Sequence, residues 1–581
     1  MQLNAISDVF EGFLIKDRND QFASEGHVHF KEKLLPYIEA GEPIEFVLAG
    51  FPCKSPNFVE KSFGVMPDYG EVVALKRIEE LSRSVASVYA PGCQIILISD
   101  GFTFNDIVGV PDAVCDAYNK SLRSIAGLHA VVWKELSDFF PHADTAEKLR
   151  KALIKNASLP CKGIEDLKRR ALCNLELSTA HDKLCGYLYN DMRLHRQDGQ
   201  SDDEYLSALG QKAYEMMYRG MALNALIEQH FPDAVRLSVH QYSNAGPKFT
   251  LGFVAGATKV LQPWHSVPVL TRSGTVELLP NACVDKDAHA LLTSDGAPWL
   301  YLELDKPSDG QFTYKLVKKP SFGVEISSTG NTAPESLSAD FMQSIVRQFG
   351  FVCIRGSDFK EMEELTRYSQ RFGEIYHWKF GAVHVVKPAD KPDGFVHSLE
   401  KTPLHWDLSM LPLDHEKVKD NEWFAASLFM LYCKQPPQPG EGCTTLVDGR
   451  LVLDMIAPER KTQWSRMTLT YDTRMTYFGG VPRTYPLIYR HPETGEQILR
   501  YQEGSDSELQ KFSVSVDGVS ASESSLLTHE INQLIYDEQC MIAHEWKAGD
   551  LLIVDNWLTL HGRSAMSASS KSRELWRVQV Y

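Results

Sequence analysis

The side chains that most clearly predict chemistry belong to His405-Trp406-Asp407 and, far downstream, to His561. They supply two imidazoles and one carboxylate, which is the ligand set of the facial triad that holds a non-haem Fe(II) on one side. The remaining coordination positions stay open, so O2 and an organic co-substrate can both reach such a metal. The pattern therefore predicts the iron centre of an oxygenase in the later part of the chain.

A second His-x-Asp pattern, His142-Ala143-Asp144, shows that the spacing alone is weak evidence. It lies in a polar, helix-like stretch without downstream partners, so we expect a solvated surface pair there. The surroundings of His561 differ, because Arg577 follows it within an apolar and aromatic strand-like run. A guanidinium that faces a protein interior requires an anionic partner, and a carboxylate suits its planar shape. Thr444 and Thr445 add hydroxyl groups beside another strand-like run.

With these features, residues from about 318 to 581 resemble the taurine-dioxygenase-like family of Fe(II)/2-oxoglutarate oxygenases. The runs Lys319–Ile326 and Gln348–Gly356 match the opening of that family and its extended strand followed by Arg-Gly. The resemblance implies Fe(II) as cofactor, with 2-oxoglutarate and O2 as co-substrates. It also implies that His405, Asp407 and His561 bind the iron. Arg577 would then pair with the distal carboxylate of 2-oxoglutarate and Thr444 would hydrogen-bond it, with Thr445 as the alternative register. Cys443 stands where that family usually has an acidic residue or glycine.

Composition limits the class of protein. The chain has 581 residues, a net charge of -16 and a pI of about 5.7, without a long cluster of lysine and arginine. We therefore expect neither nucleic acid nor a membrane surface as partner. The sequence shows no secretory signal and no apolar run of membrane-spanning length, and its 11 cysteines are scattered. A cytoplasmic protein with reduced thiols is expected, with a homo-oligomer as one open alternative.

The first 310 residues alternate helix-like and strand-like segments, which predicts an α/β domain. Residues 71–89 carry a helical apolar stripe, and residues 94–98 form a short apolar run typical of a buried strand. The turn-rich cluster at 306–310 predicts a boundary. We therefore expect a Rossmann-like α/β domain over residues 1–312. For residues 313–581 the resemblance to the oxygenase family implies a double-stranded β-helix (jelly-roll) domain.

Several polar residues of the first half are candidates for chemistry, although each also has a purely structural explanation. Lys54 could be a solvated loop lysine, and Asp68 with Glu71 could cap a helix. Asp100 could simply open a turn, although the end of a strand in an α/β sheet is also where ligands bind. Two histidines complete the set of candidates. His240 could be a core histidine, and His265 could pack against Trp264.

Together these motifs resemble the isonitrile synthases of the pyoverdine/dityrosine biosynthesis family, over residues from about 5 to 310. Such enzymes convert an amino acid's amine into an isonitrile, and ribulose 5-phosphate supplies the extra carbon. The resemblance implies that no metal is needed in this half. It also implies two residue sets. The phosphate-binding candidates are Lys54, Arg236 and Lys248. The candidates for acid, base and other catalytic roles are Lys54, Asp68, Glu71, Asp100, His240 and His265.

The two resemblances predict a bifunctional fusion that makes an amino-acid isonitrile and then oxidises it. The second step would remove a hydrogen at C3 and release the carboxylate as CO2, which leaves a vinyl isonitrile. Tyrosine is the first choice of amino acid and tryptophan the second. Three alternatives stay open: a 2-oxoglutarate-dependent hydroxylase with a non-catalytic N-terminal binding module, the same fusion acting by hydroxylation or on an aliphatic amino acid, and a non-enzymatic scaffold.

Overall fold

The computed structural model describes residues 2–125, 127–306, 311–330, 332–409, 411, 425–473 and 482–581. By their contacts these residues form two compact units. The first comprises Met1–Leu270, Val276–Asp285 and Pro298–Tyr301, and the second comprises Thr271–Thr275, Lys286–Ala297 and Leu302–Tyr581. The boundary cluster predicted at 306–310 lies largely outside the described residues, and the predicted domain limits stay a prediction. Among the described residues, no helix has both the length and the apolarity needed to cross a membrane.

The first unit is built on a five-stranded sheet with the order β3-β2-β1-β4-β5, in which all the neighbouring strands run parallel. A short antiparallel hairpin, β6–β7, lies outside this sheet. The strands of the unit are β1 (Ile44–Gly50), β2 (Cys93–Ser99), β3 (Val131–Lys134), β4 (Val235–Ser238), β5 (Lys248–Thr250), β6 (Val267–Leu270) and β7 (Val276–Leu279). The helices are α1 (Gln2–Glu11), α2 (His27–Ala40), α3 (Tyr69–Val88), α4 (Gly101–Phe104), α5 (Asp112–Arg123), α6 (Leu136–Phe139), α7 (Ala146–Asn156), α8 (Ile164–Ala171), α9 (Leu175–Met192) and α10 (Asp202–His230).

Both faces of this parallel sheet are buried, which explains why its strands are continuous apolar runs. Successive residues of β1 alternate between two cores: Phe46 and Leu48 pack with α1, α2 and α3, whereas Val47 packs with α7 and α10. In β2, Ile95 and Ile96 divide in the same way. The Rossmann-like α/β prediction is therefore confirmed, as are the helix and strand predicted at 71–89 and 94–98.

The second unit contains two antiparallel-rich sheets whose inner faces share one core, the arrangement of a jelly roll. Its larger sheet includes the order β13-β25-β15-β23-β12-β11-β10-β8, and its smaller sheet has the order β14-β24-β16-β22. Apolar residues of both sheets meet between them, among them Phe429, Leu446, Leu552, Leu560 and Leu575. The predicted double-stranded β-helix is confirmed.

The strands from β8 onward are β8 (His289–Ser294), β9 (Ala297–Glu303), β10 (Phe312–Lys318), β11 (Phe322–Ser328), β12 (Phe351–Arg355), β13 (His384–Val386), β14 (Thr402–His405), β15 (Leu428–Gln435), β16 (Thr444–Asp448), β17 (Thr468–Thr473), β18 (Arg483–Pro486), β19 (Ile488–Arg490), β20 (Gln497–Leu499), β21 (Phe512–Val516), β22 (Met541–His544), β23 (Leu551–Asp555), β24 (Thr559–Arg563) and β25 (Glu574–Val580). The helices of this part are α11 (Ala339–Phe349), α12 (Met362–Ser369), α13 (Gly449–Asp454), α14 (Pro458–Trp464) and α15 (Ala521–Ile535).

Candidate active sites

The smaller sheet of the jelly roll brings the three predicted iron ligands together. His405 ends β14 and pairs with His561 of the neighbouring antiparallel strand β24, which places the two imidazole centroids 4.3 Å apart. Asp407 follows two residues later. Its Oδ1 atom lies 3.7 Å from Nε2 of His405 and 3.6 Å from Nε2 of His561. Three donor atoms from two distant parts of the chain therefore converge on one point.

The donor set fits a divalent metal. Nδ1 of His405 donates to the carbonyl of Pro403 at 2.8 Å, so Nε2 carries the free lone pair. Burial, and then the neighbouring His561, lower the pKa of His405 to about 4, which keeps this imidazole neutral. Although burial alone would raise it, Arg577 and the two imidazoles hold the pKa of Asp407 well below its usual range. Oδ2 of Asp407 is buried and has no hydrogen-bond partner among the described residues. Two imidazoles and one carboxylate suit Fe(II).

Asn556 fixes the backbone that carries Asp407. Its side-chain oxygen accepts from the Asp407 N–H at 2.8 Å, and its Nδ2 donates to the carbonyls of Asp407 at 3.0 Å and Ala426 at 2.9 Å. The buried guanidinium of Arg500 donates in turn to the Asn556 carbonyl, and it lies 4.4 Å from the ring centroid of Trp406. The metal-binding carboxylate therefore rests on a fully buried polar support.

A pocket beside the three ligands is lined by the hydroxyl residue and the arginine predicted to hold 2-oxoglutarate. Thr444 lines it, and the hydroxyl of Thr444 accepts from Nε1 of Trp546 at 3.1 Å. Arg577 donates to Oδ1 of Asp407 at 3.3 Å and to Nδ1 of His384 at 2.9 Å. Thr445 is not among the lining residues, because successive side chains of a strand point to opposite faces.

Arg573 lines the same pocket and was not among the predicted site residues. Its side chain is 2% exposed, and its Nε and Nη1 atoms have no hydrogen-bond partner within the described part of the chain. Burial, and then repulsion by Arg563, lower the pKa of this guanidinium to about 9. An unpaired buried cation at a pocket wall calls for an anionic ligand. The sequence offered one clue, because Arg573 lies four positions before Arg577.

A second group of potential metal ligands, Cys353, His544 and Asp550, lies elsewhere in the second unit. The Asp550 carboxylate already binds the guanidinium of Arg355 and accepts from the Lys547 N–H at 2.7 Å. Burial also raises the pKa of the Cys353 thiol, which disfavours the thiolate that binds metals. This group is therefore explained as a structural cluster.

In the first unit, Lys54 lies at the centre of a fully buried ionic network. Its ammonium donates to Oδ2 of Asp68 at 2.6 Å and to the Pro263 carbonyl at 2.8 Å, and it lies 2.9 Å from Oε2 of Glu71. Tyr118 donates to the other oxygen of Glu71 at 3.1 Å. The interpretation of Lys54 as a solvated loop residue is wrong, because only 1% of it is exposed.

The same carboxylates also cap α3, so the capping interpretation is correct as well. Asp68 accepts from the Gly70 N–H at 2.8 Å, and Glu71 accepts from the Asp68 N–H at 2.9 Å. The network contains one ammonium and two carboxylates. Burial raises the pKa of Asp68 to about 8. The ammonium of Lys54 opposes this shift, whereas the carboxylate of Glu71 adds to it. A carboxyl group that titrates near neutral pH can give and take a proton.

Arg236 and Lys248 are paired across β4 and β5 and form a cationic pair. Both donate to the same atom, Oδ1 of Asn224, at 3.1 Å and 3.0 Å. Among the described residues, no acidic side chain forms a hydrogen bond with either cation, and Nε of Arg236 is buried without a partner. Burial lowers the pKa of Arg236 and of Lys248, and for Lys248 the neighbouring Arg236 adds to the effect. Two convergent cations of this kind are suited to a phosphate.

The three other candidates lie after strands or in the loops that follow them. Asp100 directly follows β2; its Oδ1 is buried without a partner among the described residues, and burial raises its pKa to about 7. His240 is exposed just beyond β4, so the core-histidine interpretation is wrong. His265 is partly buried in a short turn, with Nδ1 3.7 Å from Oδ2 of Asp191. Asp191 and Asn224 were not predicted from the sequence.

Comparisons with known proteins match two families, each over a separate part of the chain. The pyoverdine/dityrosine biosynthesis protein family matches residues 35–292. The family of the taurine catabolism dioxygenase TauD and TfdA matches residues 313–579. The prediction of Fe(II), 2-oxoglutarate and O2 is confirmed by this second match together with the His-Asp-His cluster.

Three curated relatives resemble different extents of the chain. Isocyanide synthase A of Aspergillus fumigatus is 27% identical, over 97% of this chain and 95% of that protein. L-tyrosine isonitrile synthase of Pseudomonas aeruginosa is 33% identical, over 41% of this chain and 73% of that protein. The 3-((Z)-2-isocyanoethenyl)-1H-indole synthase of Fischerella ambigua is 28% identical, over 46% of this chain and 96% of that protein. The chain therefore belongs to the isonitrile synthase family, as an enzyme in which a synthase half is fused to a TauD-like oxygenase half.

Proposed function

We propose that this enzyme converts L-tyrosine and ribulose 5-phosphate to the tyrosine isonitrile and then oxidises that product to a vinyl isonitrile. The observation that carries the proposal is the presence of two differently equipped sites in one chain. One has a buried lysine–carboxylate network and a cationic pair, and the other has an iron ligand set beside an unpaired buried arginine. The names of the relatives support it, since one is a tyrosine isonitrile synthase and another forms an isocyanoethenyl product.

In the synthase half, Arg236 and Lys248 bind the phosphate of the sugar, and the Lys54 network transfers protons. The substrate amine attacks the ketone of the sugar, and loss of water gives an imine. These steps require groups that release and accept protons near neutral pH, which the Asp68 carboxyl can do because its pKa is raised to about 8. Asp100, Glu71, His240 and His265 remain the further predicted acid and base candidates.

The phosphate assignment predicts that Arg236→Ala and Lys248→Ala each raise KM for ribulose 5-phosphate by about 10- to 100-fold, the loss of a charged hydrogen bond. KM for the amino acid stays close to that of the wild type. Steady-state isonitrile formation, followed by mass spectrometry, measures both constants. Lys155→Ala at the exposed end of α7 is the matched control. An unchanged KM for ribulose 5-phosphate in both variants would show that the cationic pair does not bind the phosphate.

In the oxygenase half, His405, Asp407 and His561 hold the iron, which when bound supplies the oxidation of a C–H bond by O2 and 2-oxoglutarate. Arg573 and Thr444 bind the distal carboxylate of 2-oxoglutarate. Arg577, the residue predicted for this role, is already engaged with Asp407 and His384, and we propose that it orients the metal-binding carboxylate. The substrate loses a hydrogen at C3 and its carboxylate as CO2.

The two arginines predict different kinetic effects. Arg573→Met raises KM for 2-oxoglutarate by at least about 30-fold, because truncating one partner of a buried charge pair costs about 2 kcal/mol or more. Arg577→Met lowers kcat more than it raises this KM. Succinate formation measures both constants, and Arg573→Lys, which keeps the charge, recovers part of the affinity. If Arg577→Met raises KM for 2-oxoglutarate more than Arg573→Met does, the residue that binds the distal carboxylate of 2-oxoglutarate is Arg577.

A labelled sugar tests the proposed first reaction. The enzyme is incubated without O2 in the presence of L-tyrosine and uniformly 13C-labelled ribulose 5-phosphate. One labelled carbon is expected in the isonitrile product, because the sugar supplies that atom. Parallel reactions with tryptophan and valine identify the preferred amino acid. If no labelled isonitrile forms, and an amino acid oxidised without a sugar carbon appears once Fe(II), 2-oxoglutarate and O2 are added, the protein is a hydroxylase with a non-catalytic N-terminal half.

A further inference from the structure

Asp191 is a buried carboxylate with one oxygen satisfied and one oxygen free. It lies near the end of α9 and is fully buried. Its Oδ1 forms an ion pair with Lys61, whereas its Oδ2 has no hydrogen-bond partner among the described residues. A buried carboxylate oxygen that is left without a donor is costly, so such an atom points to a missing ligand.

The imidazole of His265 faces the free oxygen of Asp191. The distance from Nδ1 of His265 to Oδ2 of Asp191 is 3.7 Å, which is too long for a hydrogen bond. This Nδ1 atom is also buried and lacks a partner in the described ranges. Burial lowers the pKa of His265 to about 4, although Asp191 opposes the shift, so the ring is neutral and one of its nitrogens is an acceptor.

The surroundings favour a small cation between these two side chains. The Tyr187 ring meets His265 edge-on at 5.4 Å, and Lys61 lies 5.3 Å from its centroid. Burial and then the charge of Asp191 raise the pKa of Tyr187, and a hydrogen bond between the Tyr187 side chain and this carboxylate adds to the shift. Oδ2 of Asp191 and the neutral imidazole of His265 can both accept hydrogen bonds, and an ammonium group is a donor of several.

This position also adjoins the Lys54 network. The carbonyl of Pro263, two residues before His265, accepts from the Lys54 ammonium at 2.8 Å. The Trp264 carbonyl accepts from the Ser55 N–H at 2.8 Å. The turn that carries His265 is therefore tied to the loop that carries Lys54, and a ligand at Asp191 lies beside the proton-transferring groups.

We infer that Asp191 and His265 form the subsite that binds the ammonium group of the amino-acid substrate. Oδ2 of Asp191 accepts a hydrogen bond from this ammonium. The neutral imidazole of His265 accepts a second hydrogen bond from this ammonium. The proton that the nitrogen loses before it attacks the sugar ketone passes to the Lys54 network, where the pKa of Asp68 is raised to about 8. The inference rests on the proposed function and assigns a substrate group to a carboxylate that neither the sequence motifs nor the relatives point to.

The test compares two variants that break the same ion pair. Asp191→Asn removes the anionic acceptor, whereas Lys61→Met leaves the carboxylate in place. Binding of L-tyrosine and of its analogue without the amino group, 3-(4-hydroxyphenyl)propanoate, is measured by calorimetry for the full-length protein. The wild type and Lys61→Met are expected to prefer the amine. Asp191→Asn loses about 10- to 100-fold in affinity for tyrosine and binds the analogue unchanged.

A structural role of the ion pair predicts the opposite pattern, in which both variants lose stability and affinity together. Equal amine preference in Asp191→Asn and in the wild type would overturn the inference, as would a wild type that binds no amino acid. Isonitrile formation by the wild type is measured in parallel. If the wild type makes the isonitrile while Asp191→Asn keeps the amine preference, only the ammonium subsite is wrong. If it makes none from any amino acid, the proposed function itself fails.

Discussion

An enzyme with His405→Ala is expected to make the isonitrile and to leave it unoxidised. The substitution removes one of only three protein ligands, and no other histidine in the described residues lies within the same donor cluster. Changes in groups that merely support metal ligands reduce activity by about 10- to 100-fold. The loss of a ligand itself is therefore expected to reduce the rate of isonitrile oxidation by more than about 100-fold. Product mass and succinate formation report the two halves separately.

The chain supplies its own control for this experiment. His142→Ala removes a histidine from the other His-x-Asp pattern, which is exposed in the structure, and it should leave both activities unchanged. Iron content measured on the purified proteins should fall in His405→Ala alone. Full oxidation of the isonitrile by His405→Ala would show that the iron lies elsewhere.

Replacing Lys54 by Met is expected to abolish isonitrile formation and to destabilise the synthase half. The substitution leaves Asp68 and Glu71 buried without their cation. Breaking a buried ion pair by removing one partner costs about 3–5 kcal/mol. Chemical denaturation should therefore show an earlier transition for the synthase half, while succinate formation persists at temperatures where that half is folded.

A triple substitution separates catalysis from stability in this network. Lys54→Met combined with Asp68→Asn and Glu71→Gln removes all three charges and should regain part of the lost free energy of unfolding. It should not regain isonitrile formation, since none of the three charged groups of this network is left to transfer protons. Lys120→Met, in an exposed pair with Asp116, is the control for loss of a lysine. Recovery of activity in the uncharged triple variant would assign the network a purely structural role.

The parts of the sites that could be predicted from the sequence are those whose residues lie close together in the chain or match a family motif. The His405-Trp406-Asp407 motif and the helix that begins after Asp68 are local features, and both appear as expected. Burial of β1 and β2 on both faces of the sheet also follows from their apolar runs. The dual role of Asp68 and Glu71 could not be predicted, because Lys54 meets them only after the loop folds back.

Long-range contacts explain what sequence reasoning missed. Asp191 meets His265 and Lys61 across more than seventy residues in either direction, and no local pattern marks it. Asn224 joins Arg236 and Lys248 only because α10 lies beside the edge of the sheet. Arg577 donates to Asp407, whereas Nε and Nη1 of Arg573 have no partner among the described residues. Only the folded barrel reveals this difference between the two arginines.

The most direct test of the central claim follows both reactions in one vessel. Iron-loaded enzyme is mixed without O2 with L-tyrosine, ribulose 5-phosphate, 2-oxoglutarate and ascorbate, and products are followed by mass spectrometry before and after air is admitted. The expected result is a carboxylated isonitrile that accumulates first and a vinyl isonitrile that replaces it once O2 is present. No isonitrile at either stage, with tyrosine, tryptophan or valine, would contradict the account.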